Sequence, residues 1–513
     1  MKYSFLTAKL RVRFLLIALS LVIVLGLSTR FAVGDSTATI RNLQPFRDAN
    51  GQIATFSVNG DINTNNNAFF QSLGTNGRSC ASCHVVSQAW GLSVKGVRAR
   101  FESSDGTDPL FASIDGANCP DAKTGDRADH SLLLNNGLIR IFLPVPTGAQ
   151  FGIKVISDPY GCAMVTDPNT KQEIVSVYRR PQPDTNLHFL STVMFDGRET
   201  VAPLNNGPTF MSNLVTDLTH QVTDAILGHA QASTPPTSAQ VSEIVNFELG
   251  LFTAQIYDNA AGRLDAHGAT GGPSNPAKQP YHPGINDSLG SDPTGAKFNP
   301  VVFSLFQPWL NIGSGQNDRG EGQNDQGEDD TTAARRAIAA GEQIFNTSPL
   351  TISNVRGLND NLALNNPTSF IGTCSTCHDT PNVGNHSFPL PLDIGTSHST
   401  DYEHDANIRA ALTQLSSPNL PIYEITRCID PFNSGQPASF FTTDPGKALI
   451  TGQCSDFNRG KGPILRGLVA RAPYFHNGSA ADFKQLVNFY DLRFQMGLTK
   501  EQKTDLIAFL NSL

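Results

Sequence analysis

What this chain lacks narrows its function first. It has no surplus of positive charge: 37 Lys and Arg stand against 45 Asp and Glu, a net charge of −8, which argues against nucleic acid as a partner. It has no long apolar run. The longest covers residues 14–27, 14 positions, short of the roughly 18 that a membrane span needs. Methionine is scarce, with 5 in 513 residues, so few thioether ligands are on offer. Cysteine is sparse too, at 8, and its close pairs have no second Cys or His pair at zinc-finger spacing. With 39% hydrophobic residues, what remains is an ordinary globular chain with room for two or three domains.

Against that background, one pattern occurs twice. Cys80-Ala81-Ser82-Cys83-His84 and Cys374-Ser375-Thr376-Cys377-His378 both carry the attachment signature of a c-type haem. Two thiols three positions apart can reach the two vinyl groups of one porphyrin. The shared turn then carries the next side chain beneath the iron, so His84 and His378 are the expected proximal ligands. The motifs predict two covalent haems c.

The first 34 residues read as an export signal: Lys2, Lys9, Arg11 and Arg13 precede the apolar core, and Ala32-Val33-Gly34 follows as a cleavage site. A retained anchor is the rival reading. Export to the periplasm suits the haem motifs, because bacterial c-type haem attachment takes place outside the cytoplasm, and no stable membrane span is expected after cleavage. Four cysteines remain, Cys119, Cys162, Cys428 and Cys454. In an oxidising compartment they suggest disulfides. Of three pairings, loop locality favours Cys119 with Cys162 and Cys428 with Cys454.

Residues 35–65 read as a polar lead-in, and 66–73 as a helix feeding the first haem loop. Alternation over 138–145, with strands at 151–156 and 173–178, predicts a small disulfide-stapled β insertion at about 100–180. Helical spacing resumes with Leu214, Leu218, Gln221 and Ala225, ending near Gly228-His229. Thr237 and Gln240 form a capping-box pattern before a helix read through Phe252. An acidic, polar stretch at 311–333 reads as a linker. Beyond it, a helix with Gly341 at a close-packing position and a capped C-terminal helix from Thr499 repeat the cytochrome c order of helix, haem loop, helix. The expected fold is mainly α: two cytochrome c-like domains, 35–310 with the insertion and 334–513.

Four further stretches carry a resemblance: Met194-Phe195-Asp196-Gly197-Arg198, Cys377-His378-Asp379 with Asn382-Val383-Gly384, Pro463-Ile464-Leu465-Arg466, and Arg471-Ala472-Pro473-Tyr474-Phe475-His476-Asn477-Gly478. Together with the haem motifs they resemble the bacterial di-haem cytochrome c peroxidase and MauG superfamily. The resemblance implies a peroxide-reactive N-terminal haem and a C-terminal haem that relays electrons. It puts Gln221 and Gln231 where the family has a distal glutamine and a glutamate. The acid is therefore missing, and His229 is the candidate to replace it as general acid–base. It puts Phe195 where many members carry tryptophan between the haems. Arg198 is expected at a haem propionate or bracing its own turn, and His476 beside the second haem. For the second haem's sixth ligand it aligns Tyr490, with Met496 as rival; peroxidase members use methionine and MauG tyrosine. Residues 463–466 match a stretch that approaches calcium in family peroxidases, so Ca²⁺ is carried as a further cofactor on resemblance alone. Three functions follow from these readings. The leading one is reduction of hydrogen peroxide with electrons from a small redox protein, a cytochrome c or cupredoxin. The others are MauG-like high-valent haem oxidation of a protein or organic substrate, and non-catalytic electron transfer.

Overall fold

The computed structural model describes residues 39–312, 325–432 and 437–513; the expected export segment lies outside them. The expectation of a mainly α protein is overturned. Helix accounts for 31% and strand for 16%, with the strands in five sheets among the described residues. Helical periodicity and the order of the haem motifs led that expectation, and both missed segments whose β-branched and aromatic residues pair with partners far away in sequence. Gly51–Ser57, inside the presumed lead-in, pairs antiparallel with Leu251–Asp258. The helix read through Phe252 stops at Leu249, and Phe252 is a strand residue.

The helices that do form obey their sequence signals. Thr237 and Gln240 cap Ser238–Leu249 reciprocally, as do Thr499 and Gln502 at Lys500–Asn511. The Phe210–Gly228 helix buries Leu214, Leu218, Val222 and Ile226 in a core shared with Phe69, Trp90, Phe189 and Phe247. A second core gathers Phe303, Trp309, Ile338, Phe345, Val487 and Phe509. Each fully buried side chain of this size contributes about 1.5–3 kcal/mol. In the second core the Asp325–Thr347 and Lys500–Asn511 helices touch at Gly341, where an added Cβ would lie 2.0 Å from the Asp505 carbonyl oxygen. Within the acidic stretch read as a linker, residues 325–333 are the start of that first helix.

The β insertion is not self-contained. Ile139–Pro144 and Glu173–Arg179 pair antiparallel, with Met164–Thr166 on the outer side. Gly152–Ser157 instead joins Ile422–Ile429, with Val155 opposite Tyr423, and that strand pairs onward with Pro437–Thr442. Both sheets share one core, in which Ile141, Val175 and Val177 meet Tyr423, Ile425 and Phe457. The buried Tyr423 hydroxyl is 3.0 Å from the Ala163 carbonyl and 2.6 Å from that of Ser176. The two locally paired disulfides, Cys119–Cys162 and Cys428–Cys454, staple this unit from opposite halves of the chain. No helix among the described residues is long and apolar enough to cross a membrane.

Candidate functional site

Each Cys-Xaa-Xaa-Cys-His motif forms a single 3-10 turn. The Cys83 and His84 amides both donate to the Cys80 carbonyl, at 3.1 and 3.0 Å. Cys377 and His378 repeat this toward Cys374, at 3.3 and 3.1 Å. Hydroxyl side chains cap both turns: the Ser79 amide donates to Ser82 Oγ at 3.1 Å and the Thr373 amide to Thr376 Oγ1 at 2.9 Å. These four cysteines are the unpaired ones. Burial pushes Cys83 up to about 11 and Cys374 and Cys377 up to about 12.

The first motif opens on a cavity of about 270 Å³. His84 Nδ1 lies 3.2 Å from the Trp90 carbonyl oxygen and 3.1 Å from Asp184 Oδ2, which leaves Nε2 available for a ligand role. Gln221, Val222 and Ala225, from one face of the Phe210–Gly228 helix, form another wall. The insertion supplies Asp115, Ile139, Ile141, Arg179 and Arg180 to the lining. His229 also lines the cavity, with Nδ1 hydrogen-bonded to Asp115. Asp115 is bonded in turn to Arg78, whose Nε and Nη2 donate to the Pro109 and Leu110 carbonyls at 2.7 and 2.8 Å. Burial alone would raise the Asp115 carboxyl, but His229 and Arg78 outweigh it and hold it below its usual range.

Gln231 is not part of the cavity lining. It is exposed, and its amide oxygen accepts from Asn76 Nδ2 at 3.2 Å. Arg198 lines the cavity and also braces its own turn, with Nη1 3.1 Å from both Asp196 oxygens.

The second motif opens on a cavity of about 250 Å³. His378 Nδ1 is 2.6 Å from the Gly384 carbonyl oxygen, again leaving Nε2 for a ligand role. Tyr490 and Met496 both line this cavity, so the structure brings the two sixth-ligand candidates together with His378. Phe195, Lys461, Tyr474, Phe475 and His476 line both cavities. Phe195 stacks on His476 with ring centroids 4.4 Å apart and planes 12° from parallel. The Arg179 guanidinium lies 5.0 Å from the Phe195 centroid, held by Asp196 and Asp444. Gly460 admits the Phe195 ring, since a Cβ there would fall 2.1 Å from Phe195 Cε2. Burial pushes His476 down to about 4, so its imidazole is neutral at pH 7.

The charges near the first motif fit a haem. Arg180, Lys461 and Arg471 line that cavity, and no protein carboxylate forms an ion pair with any of them among the described residues. Burial pushes Arg180 down to about 9, Lys461 to about 7 and Arg471 to about 10. The anionic propionates of a haem would relieve that excess of buried positive charge. In both cavities the donor set of two thiols and one oriented imidazole suits a covalently attached haem.

Asp115, Arg78, Arg179 and Lys461 carry no sequence signal of their own. Arg78 stands two positions before Cys80, and the others reach the site only through long-range folding. No family model matches the chain. Over 150 residues, 28% of the chain, it is 29% identical to cytochrome-c peroxidase IdrP2 of Denitromonas iodatirespirans. Over 154 residues, 27% of the chain, it is 24% identical to cytochrome-c peroxidase IdrP1 of Pseudomonas sp. strain SCT. The chain spans 36% of each relative's length. Over about a quarter of its length, then, this chain is similar to cytochrome-c peroxidases.

Proposed function

We propose that this chain is an exported di-haem c-type oxidoreductase. It reduces hydrogen peroxide at the haem of Cys80, Cys83 and His84, with electrons relayed by the haem of Cys374, Cys377 and His378 from a small redox protein. The observation that carries this reading is the His229–Asp115–Arg78 chain on the wall of the first cavity. Bound there, haem would supply an iron centre that takes up peroxide and accepts electrons. Peroxide reduction consumes two electrons and two protons and yields two waters, so a group that moves protons between the peroxide oxygens is required. The Asp115 carboxylate accepts a hydrogen bond from His229 Nδ1–H, the tautomer that leaves Nε2 with its lone pair for a molecule in the cavity. His229 Nε2 can take a proton from one peroxide oxygen and return it to the departing one. Arg78 holds Asp115 ionised, and the Gln221 amide offers a further hydrogen bond from the same wall.

Two observations bear on the MauG-like alternative. Phe195 between the cavities is hard to oxidise, and the Arg179 cation over its ring makes it harder still, which disfavours hole transfer through that position. Tyr490 in the second cavity favours the alternative, because a phenolate ligand suits ferric iron and a thioether suits ferrous iron. Steady-state consumption of hydrogen peroxide with reduced cytochrome c, both haems attached, decides between them. Sustained turnover that His229→Ala lowers about 10²-fold or more supports the peroxidase reading. Absence of turnover sinks it.

A further inference from the structure

One side-chain cluster outside both cavity mechanisms is built like a metal site. Asp287, Asp379 and His386 present one ligand atom each within 4.8 Å of one another. They are 2%, 0% and 3% exposed. Each carboxylate has one oxygen anchored by a backbone amide. The Ser291 amide donates to Asp287 Oδ2 at 2.7 Å, and the Ser387 amide to Asp379 Oδ1 at 2.7 Å. Asp287 Oδ1 and Asp379 Oδ2 are buried without a hydrogen-bond partner, as are both ring nitrogens of His386. His386 Nδ1 and Asp379 Oδ2 are only 2.8 Å apart, yet the ring N–H is not directed along that contact. With Nδ1 unprotonated, two donor atoms at that spacing suit neighbouring ligands of one ion about 2 Å from both.

Charge points the same way. Among the described residues no Lys or Arg forms an ion pair with Asp287 or Asp379. A protonated His386 would leave one buried negative charge uncompensated, which is costly. A divalent ion beside a neutral imidazole balances the two carboxylates. The geometry points to a site for a divalent transition-metal ion of the zinc class, held by Asp287, Asp379 and His386 Nδ1. The imidazole donor selects against calcium and magnesium, which take oxygen ligands. None of the three belongs to the 463–466 stretch, although His386 packs beside Gly462.

The ion would tie the 281–292 loop to the second haem-binding loop. That contact is already hydrogen-bonded: Asn286 Nδ2 donates to the Asp379 carbonyl at 3.0 Å and Ser288 Oγ to the Thr376 carbonyl at 2.7 Å. Asp379 follows His378 directly, and His386 also lines the second cavity. The site is therefore a clip that positions the proximal loop. It does not depend on what the haems catalyse.

The test uses the purified full chain with both haems attached, equilibrated with Zn²⁺ and freed of excess by gel filtration. Elemental analysis should find one zinc in addition to the haem iron, and zinc-edge X-ray absorption should show nitrogen and oxygen ligands only, one of them imidazole. Asp287→Asn should weaken zinc binding at least tenfold, and Asp287→Ala with His386→Ala should abolish it while the iron content is unchanged. Chelation of the wild type should lower its melting temperature, a readout that needs no variant to fold. A wild type that retains no zinc, retains Ca²⁺ instead, or binds zinc through sulfur overturns the site. So does undiminished binding in the double variant.

Discussion

Asp115→Asn removes one negative charge from the wall of the first cavity and leaves the shape almost unchanged. Two losses should follow. Arg78, with its side chain 4% exposed, is left with backbone carbonyls as partners. Removing one member of a buried ion pair costs about 3–5 kcal/mol, and the retained amide oxygen places this change near the lower end, about 3 kcal/mol. Because the folded Asp115 carboxyl titrates below its ordinary range, its contribution is complete above about pH 4 and lost as pH falls through the folded value. The stability gap between wild type and variant, measured by urea unfolding at a series of pH values, should therefore close on acidification. The second loss is catalytic. With Nδ1 no longer tied to a carboxylate, His229 is free to take the wrong tautomer, and kcat/KM for peroxide should fall about 10²-fold, the lower end of general acid–base effects. If Asp115 works through His229, the two substitutions are not additive: Asp115→Asn should change kcat/KM little in a His229→Gln background. A variant matching the wild type in stability and turnover, or effects that multiply in the double variant, would refute the reasoning.

Three further outcomes are expected. His398 is bonded to Asp393 and Glu403; burial opposes its charge, but the carboxylates outweigh burial and raise it to about 10. Its contribution is full below about pH 6.5, the unfolded value, and is lost as pH rises toward 10, so His398→Gln should flatten the alkaline fall in melting temperature. Gly341→Ala should destabilise by about 1–3 kcal/mol through overpacking against Asp505 and Phe509, as measured by thermal unfolding. Tyr490→Phe should shift the absorption spectrum of the second haem alone, and Met496→Leu should not; the reverse pattern would make Met496 the ligand.

The cofactor chemistry was more legible in the sequence than the fold. A Cys-Xaa-Xaa-Cys-His turn is local, so five consecutive residues declare it, and capping boxes at Thr237 and Thr499 are equally local. Loop locality also sufficed for both disulfides. What local pattern missed is non-local pairing. Gly152–Ser157 finds its strand partner in Ile422–Ile429, about 270 positions later, and periodicity in either segment alone is silent about it. The same limit applies within the site. Gln221 and His229 share the Phe210–Gly228 helix and its cap, so helical spacing brought them together. Gln231 lies just beyond the helix end with a left-handed backbone, φ 54°, so spacing along the helix no longer predicts its direction. Asp115, the residue that orients His229, arrives from the insertion, whose sequence resembles nothing in the motifs around it.

If peroxide reacts at the cavity of Cys80, Cys83 and His84, loss of that haem alone must stop the reaction. The most direct measurement is peroxide turnover by Cys80→Ala with Cys83→Ala, after denaturing mass spectrometry has established one attached haem in the variant against two in the wild type. Turnover should be abolished while the remaining haem is still reduced by the electron donor. Peroxide turnover that survives in that variant at the wild-type rate would contradict it.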